Sequence, residues 1–122
     1  MTVLLVALAG GLGAAARFSV DALIRRIWST TFPVATLVIN VIGSFGIGLV
    51  TGTELARADP ETWRTVLAIG VFGGFTTFST TMVETVRLQQ QNRSWSAALN
   101  WAGSLVLCVA VAAGGIAIAV LG

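Results

Sequence analysis

The chain has 122 residues, of which 56% are hydrophobic and 10% charged, whereas about 25% of the residues in a soluble domain are charged. Its seven arginines are spread along the chain, which argues against a nucleic-acid-binding patch. It has no histidine and one cysteine, so a transition-metal site is not expected and an intrachain disulfide is excluded. No nucleophile–base pair or metal cluster is visible, and an enzyme is therefore the least favoured class.

The charged residues divide the sequence into four apolar windows. A membrane-spanning helix needs about 20 apolar residues, and the first window reaches that length if its helix continues past Arg17. We therefore predict an all-α membrane protein, a single domain over residues 1–122 with four transmembrane helices. The windows without charge are residues 1–16, 27–53, 65–83 and 94–122.

The first window has two misleading features. Residues 1–16 resemble a signal peptide, but no basic residue precedes the apolar run and three more spans follow. Residues 11–16 fit a dinucleotide-binding fingerprint, but the βαβ unit and the acidic residue about 20 positions on are missing. The glycines are better interpreted as positions of close helix packing.

Charged residues follow on one face of the same helix, since Arg17, Asp21 and Arg25 are spaced i, i+4 and i+8. Such a face near the membrane boundary indicates charges that reach towards the headgroups. The alternative is an electropositive vestibule that concentrates anions.

The second helix is predicted to start near Pro33, because proline fits the first helical turn. Thr36, Asn40 and Ser44 then lie on one face at i, i+4 and i+8. An asparagine in a lipid-buried helix indicates either a functional site or a hydrogen bond between helices. Its two N–H donors carry no charge, which suits the partial dehydration of a small anion.

The third window contains the most unusual stretch. Residues 70–81 hold three glycines and five hydroxyl side chains, too many helix-weakening residues for an ordinary span. We predict a broken helix, whose free carbonyls could bind a cation and whose amides or hydroxyls could meet an anion. The alternative is a packing face, since Gly70 and Gly74 form a GxxxG step. A surface loop is expected at 87–94.

The fourth helix is predicted from about Trp95. Asn100, Ser104 and Cys108 are again spaced i, i+4 and i+8, which indicates a second polar stripe that faces inward.

Three stretches of the chain together resemble the small four-helix fluoride channels called Fluc, or CrcB. The resemblance implies an antiparallel dimer in the plasma (cell inner) membrane, with two pores, each lined by both subunits, through which fluoride leaves the cytoplasm passively. It also implies a structural Na⁺ between the subunits, held by the backbone carbonyls of Gly73 and Thr76. The matching stretches are residues 10–18 (GGLGAAARF), 32–45 (FPVATLVINVIGSF) and 73–80 (GGFTTFST).

The resemblance also implies the residues of the pore. Asn40 matches the pore asparagine, Phe78 matches the first of two paired phenylalanines, and Asn100 and Ser104 fall on the polar track of the fourth helix. Fluoride is small and strongly hydrated, so uncharged donors must replace its water without trapping it, and phenylalanine edges can assist. The further hydroxyl candidates are Thr36, Thr77, Ser79 and Thr81. Cys108 could extend the polar track of the fourth helix, and Arg17 is placed in the vestibule.

Two departures from the family pattern bear on this expectation. Thr81 replaces the second phenylalanine, and Asn100 replaces a tyrosine unless Trp101 takes that place after a small shift. Either one could affect the pore, and an accessory subunit without its own pore is therefore an alternative. A small multidrug exporter is less favoured, because it needs a carboxylate in the first helix and residues 1–20 contain none.

The distribution of arginines favours one orientation in the membrane. Five arginines lie on one side of the four predicted spans (17, 25, 26, 87 and 93), against two on the other (57 and 64). Because positive charge stays in the cytoplasm, both termini are predicted outside. An antiparallel partner could then be a non-identical subunit as well as a second copy of this chain.

Overall fold

Four long helices form the structure, a computed structural model that describes residues 1–29, 32–57 and 62–122. Each is long and apolar enough to cross a membrane, where a helix satisfies its own backbone hydrogen bonds. The predicted number of spans is thus confirmed. The sequence predicts a polar connection at 54–64, but the second span continues to Arg57 and the third begins at Thr62. Residues 58–61 lie outside the described residues. The spans are Thr2–Ile27, Val34–Arg57, Thr62–Gln90 and Ser94–Leu121.

The third span is interrupted, as the glycine and hydroxyl content predicts. Its first half ends with a π-helical segment, Val66–Phe72, and a short α-helix, Gly73–Phe75. An α-helix resumes at Ser79–Gln90 after three non-helical residues. Within the fourth span, Leu99–Gly103 is also π-helical.

The prediction of a surface loop at 87–94 is wrong for residues 87–90. The helix continues to Gln90, and a tight turn leads directly into the fourth span at Ser94. Asn92 makes this turn with a φ of 60°, a left-handed conformation that asparagine tolerates better than most residues. The polar sequence Gln89–Gln91 resembles a loop, but it lies on an exposed helix end.

Glycines allow the spans to approach closely. The second span packs mainly on the fourth, and the first packs on the first half of the third. A methyl group at Gly48 would overlap the carbonyl oxygen of Ala112, and one at Gly115 would lie 2.8 Å from the carbonyl oxygen of Phe45. Such backbone contact is how helices associate where lipid removes the hydrophobic driving force.

The outer surface of this bundle is apolar. Large hydrophobic side chains such as Leu12, Phe18 and Trp95 are more than two-thirds exposed, while few are buried. Contiguous apolar surface of this kind marks contact with lipid or with another protein. The antiparallel dimer stays a prediction.

Candidate functional site

The site is built around the break in the third span. Thr76 ends the first half with its backbone extended, at ψ 160°. Its amide and its hydroxyl both donate to the carbonyl of Phe72, at 2.9 and 3.0 Å. This closes the last turn of the first half and turns the chain towards the second span.

Asn40 joins the second span to the break. Its Oδ1 accepts a hydrogen bond from the Thr77 amide at 2.8 Å, and its Nδ2 donates to the Thr77 carbonyl at 2.8 Å. The same Nδ2 donates to the Thr81 hydroxyl at 3.0 Å. One side chain therefore pairs with both backbone groups of Thr77, whose carbonyl also accepts from the Thr81 hydroxyl. Without Asn40 the Thr77 amide would lose its partner, which costs several kcal/mol within a membrane.

The carbonyls of Gly73 and Thr76 are among those at the break that lose their helical donors. In a continuous helix the amides of Thr77 and Thr80 would bond the carbonyls of Gly73 and Thr76. Instead they donate to Asn40 Oδ1 at 2.8 Å and to Thr77 Oγ1 at 3.2 Å. Gly73 is also exposed at the surface. The carbonyl oxygens of Gly73 and Thr76 are thus available to a ligand or to a partner.

A cavity of about 460 Å³ opens beside the break, between the second, third and fourth spans. None of the described residues that line it is charged. Phe78 stands at its edge with 77% of its surface exposed. The predicted residues Asn40, Thr77, Thr81 and Ser104 come together here. The full lining is Asn40, Ser44, Ile47, Thr76, Thr77, Phe78, Thr81, Met82, Trp101, Ser104, Leu105 and Cys108.

Asn100 lies elsewhere, buried to 1% exposure between the third and fourth spans. Its Nδ2 donates to the Thr81 carbonyl at 3.2 Å and to the Thr85 hydroxyl at 2.9 Å. The neighbouring Trp101 lines the cavity instead. The structure therefore brings Trp101, the alternative considered for the family's tyrosine, to the cavity wall.

A second, smaller cavity of about 180 Å³ lies on the other side of the break. Arg17 and Thr36 line it, so two more predicted residues come together there, whereas Ser79 is exposed and lines neither cavity. Arg25 also lines it, and its Nε lies 2.8 Å from Asp21 Oδ2. The predicted charged face thus contains one ion pair.

Glu84 is a buried acid that sequence analysis did not single out. It is 8% exposed, accepts a hydrogen bond from the Thr36 hydroxyl, and lies 3.4 Å from Arg25 Nη2. It thereby links the first three spans. A signal was present in the sequence, because Glu84 lies three residues after Thr81, a predicted pore residue, and four before the apolar Leu88, on the same helical face.

Together, four spans, a break braced from a neighbouring helix and an uncharged cavity with a few hydroxyl and amide groups in a largely apolar wall are typical of a membrane transport protein. The family model described as CrcB-like protein, Camphor Resistance (CrcB), matches residues 4–116. The chain belongs to this family, whose curated relatives are fluoride-specific ion channels and not enzymes. It is accordingly a multi-pass membrane protein, and the multidrug-exporter alternative falls away.

Named relatives cover nearly the whole chain. Fluoride-specific ion channel FluC 1 of Leifsonia xyli is 44% identical over 98% of this chain and 90% of its own length. FluC 3 of Bifidobacterium longum is 43% identical, over 92% of this chain and 93% of its own length. FluC of Shewanella amazonensis is 40% identical, over 89% and 88%.

Proposed function

We propose that this chain is a subunit of a fluoride channel that lets fluoride leave the cytoplasm passively and so reduces its toxicity. The observation that carries the proposal is the uncharged cavity at the break, which combines hydroxyl groups with the exposed ring of Phe78. Uncharged donors can replace the water around a small anion, and a fixed positive charge would hold it too tightly. The names of the relatives support fluoride as the ion.

A second subunit in the opposite orientation completes each pore in this proposal. Phe78 and Gly73 are both exposed at the break. The break is the most polar part of the span, so without a partner its polar groups would face lipid. A partner that covers this surface would close the open side of the cavity and bury the freed carbonyls. The partner is either a second copy of this chain or a paralogous subunit.

The break also fits a structural Na⁺. Hard cations prefer oxygen ligands, and the carbonyls of Gly73 and Thr76 have lost their helical donors to Asn40 and Thr77. A bound ion would neutralise the partial negative charge of such carbonyls, and so support the dimer without taking part in conduction. Its binding would depend on Asn40, because this residue holds the Thr77 amide away from the carbonyl of Gly73.

Arg17 has the role of a vestibule residue in this proposal. It lines the smaller cavity, next to Thr77 and Thr80 of the break. Its positive charge raises the local concentration of anions before they reach the uncharged part of the route. Thr36, Thr77, Ser79, Thr81 and Asn100 are predicted as further contacts of the route. Thr36 lines the smaller cavity and Thr77 and Thr81 line the larger one, whereas Ser79 and Asn100 line neither of the two.

The test is fluoride efflux from liposomes that contain the purified chain, recorded with a fluoride electrode and with a K⁺ ionophore to remove the membrane potential. We expect rapid fluoride release and no chloride release. Phe78→Ile should reduce the rate at least about tenfold, because it removes the aromatic edge at the cavity. Phe45→Ile, outside the cavity lining, is the matched control and should keep the wild-type rate.

A silent chain has two explanations that a further experiment separates. Co-reconstitution with a paralogous subunit of opposite orientation restores efflux if the chain needs a partner. Silence with and without such a partner contradicts the proposed function.

A further inference from the structure

The hydrogen-bond donors of the larger cavity are mostly in use within the protein. Both N–H groups of Asn40 are donated, one to the Thr77 carbonyl and one to the Thr81 hydroxyl. The hydroxyl of Thr81 donates to the Thr77 carbonyl at 3.2 Å. An anion in the cavity could bind Asn40 only by breaking one of the bonds that hold the break together.

Thr76 and Thr77 are committed in the same way. The Thr76 hydroxyl donates to the Phe72 carbonyl at 3.0 Å, and the Thr77 hydroxyl lies 3.2 Å from the hydroxyl of Thr80. The threonines of the break therefore stabilise its backbone.

Two hydroxyls of the lining have no hydrogen-bond partner among the described residues, those of Ser44 and Ser104. Ser44 lies one turn beyond Asn40 on the second span, and Ser104 is 7% exposed on the fourth. The same holds for the indole of Trp101 and the thiol of Cys108, but Trp101 is half exposed and a thiol is a weak donor. The strong donors that remain are thus the two serines, of which Ser104 is buried and Ser44 is half-buried.

We propose that the hydroxyl of Ser44 joins that of Ser104, already a predicted pore residue, in the hydrogen bonds to the anion in this cavity. Asn40 is then a positioning residue that fixes the break. This inference rests on the proposed function and names the contacts of the same site. It assigns Ser44 to the anion site, and it moves Asn40 from contact to support.

The chemistry of the two serines suits a strongly hydrated anion. A hydroxyl rotates freely, so each serine can direct its hydrogen to an ion between the second and fourth spans. The remaining lining is largely apolar, and hydrogen bonds in such surroundings are stronger than in water. Neither group carries a charge, so the ion can leave again.

The test is thermal unfolding of the purified protein in detergent, titrated with NaF against matched NaCl. A ligand that binds the folded state raises the unfolding temperature according to its affinity. We expect fluoride, but not chloride, to stabilise the wild-type chain. The double variant Ser44→Ala/Ser104→Ala should bind fluoride at least about tenfold more weakly, which is the effect of losing a hydrogen bond to a charged group.

The matched control is Ser19→Ala. Its hydroxyl bonds the carbonyl of Ala15 within the first span and lies outside the cavity. This variant should keep the wild-type affinity for fluoride. Loss of affinity in Ser19→Ala as large as that in the serine pair would contradict the inference.

Asn40 is tested by a readout that separates support from contact. Asn40→Ala should lower the unfolding temperature without fluoride, yet keep the stabilisation that fluoride adds. Asn40→Ser serves if the alanine variant does not fold. The assignment is overturned if the stabilisation by fluoride depends on Asn40 and survives the loss of both serines.

Efflux and unfolding together distinguish the two proposals. Efflux without any fluoride-specific stabilisation overturns the serine site and leaves the channel proposal standing. If fluoride stabilises the chain only when both serines are present, yet the chain alone gives no efflux, the serine site is supported and a partner subunit is missing. Equal stabilisation by chloride and fluoride also overturns the serine site.

Discussion

Thr81 shows how a single residue can serve three spans. It is 5% exposed, its hydroxyl accepts from Asn40, and its carbonyl accepts from Asn100. The two departures from the family pattern, Thr81 and Asn100, therefore meet through one hydrogen bond of 3.2 Å. A phenylalanine at this position would lack the hydroxyl that Asn40 uses here.

At the residue scale we predict that Thr81→Val lowers the free energy of unfolding by about 1–3 kcal/mol. Valine keeps the shape but removes the acceptor of one Asn40 N–H and the donor to the Thr77 carbonyl, both in part-buried hydrogen bonds. The control is Thr51→Val, since Thr51 has no hydrogen-bond partner among the described side chains, and its effect should stay below about 0.5 kcal/mol. Equilibrium unfolding in mild detergent measures both. Equal effects would show that the Thr81 hydroxyl does not support the break.

At the scale of elements, glycines decide how the first span meets the third. A methyl group at Gly13 would overlap the carbonyl oxygen of Val71, and one at Gly74 would overlap the carbonyl oxygen of Gly10. Gly11 has open space around it. The glycines of one short stretch therefore differ in role, although they look alike in the sequence.

We therefore predict opposite effects for two neighbouring substitutions. Gly13→Ala should destabilise the protein by about 1–3 kcal/mol or more, because backbone cannot move aside as a side chain can. Gly11→Ala should be neutral or should stabilise by up to about 1 kcal/mol through helix propensity. Unfolding temperatures of the two variants test this directly. A tolerated Gly13→Ala would mean that the first and third spans do not pack in this register.

At the scale of the whole molecule, charge is unevenly distributed between the two ends of the bundle. The contact of Arg25 with Glu84 places the end of the first span beside the second half of the third. This end also carries Arg87 and Arg93, near the turn into the fourth span. The basic residues assigned to one side by counting spans thus lie towards one end of the structure.

For a chain that pairs with a paralogous subunit, we predict that this arginine-rich end is cytoplasmic and that both termini are outside. An antiparallel homodimer would instead need copies in both orientations. In a Cys108→Ser background, Thr2→Cys should react with a membrane-impermeant thiol reagent on intact cells. Ser94→Cys should react only after the cells are permeabilised. Labelling of both sites on intact cells would indicate insertion in two orientations, and the reverse pattern would contradict the prediction.

Much of this architecture could be predicted from the sequence because it is local. Windows without charge identify four spans, since each must be apolar over about 20 residues wherever its neighbours lie. The break at residues 76–78 was predictable as well, because glycines and hydroxyl side chains weaken a helix within a few residues. The same reasoning from local composition wrongly predicted a loop at 87–90, because the polar side chains there lie on an exposed helix end.

Only the tertiary structure decided which donors are free. Asn40 and Ser44 look equivalent as members of one polar stripe, but the partner that occupies Asn40 is Thr77, 37 residues away. Likewise Glu84 looks only like the charge that ends the third apolar window until Thr36 and Arg25 are placed beside it. A hydrogen bond between spans depends on helix packing and register, which the residues themselves do not reveal. The sequence by itself determined that the chain has a break among polar groups, and the packing of the four spans decided which of these groups hold the break and which face the cavity.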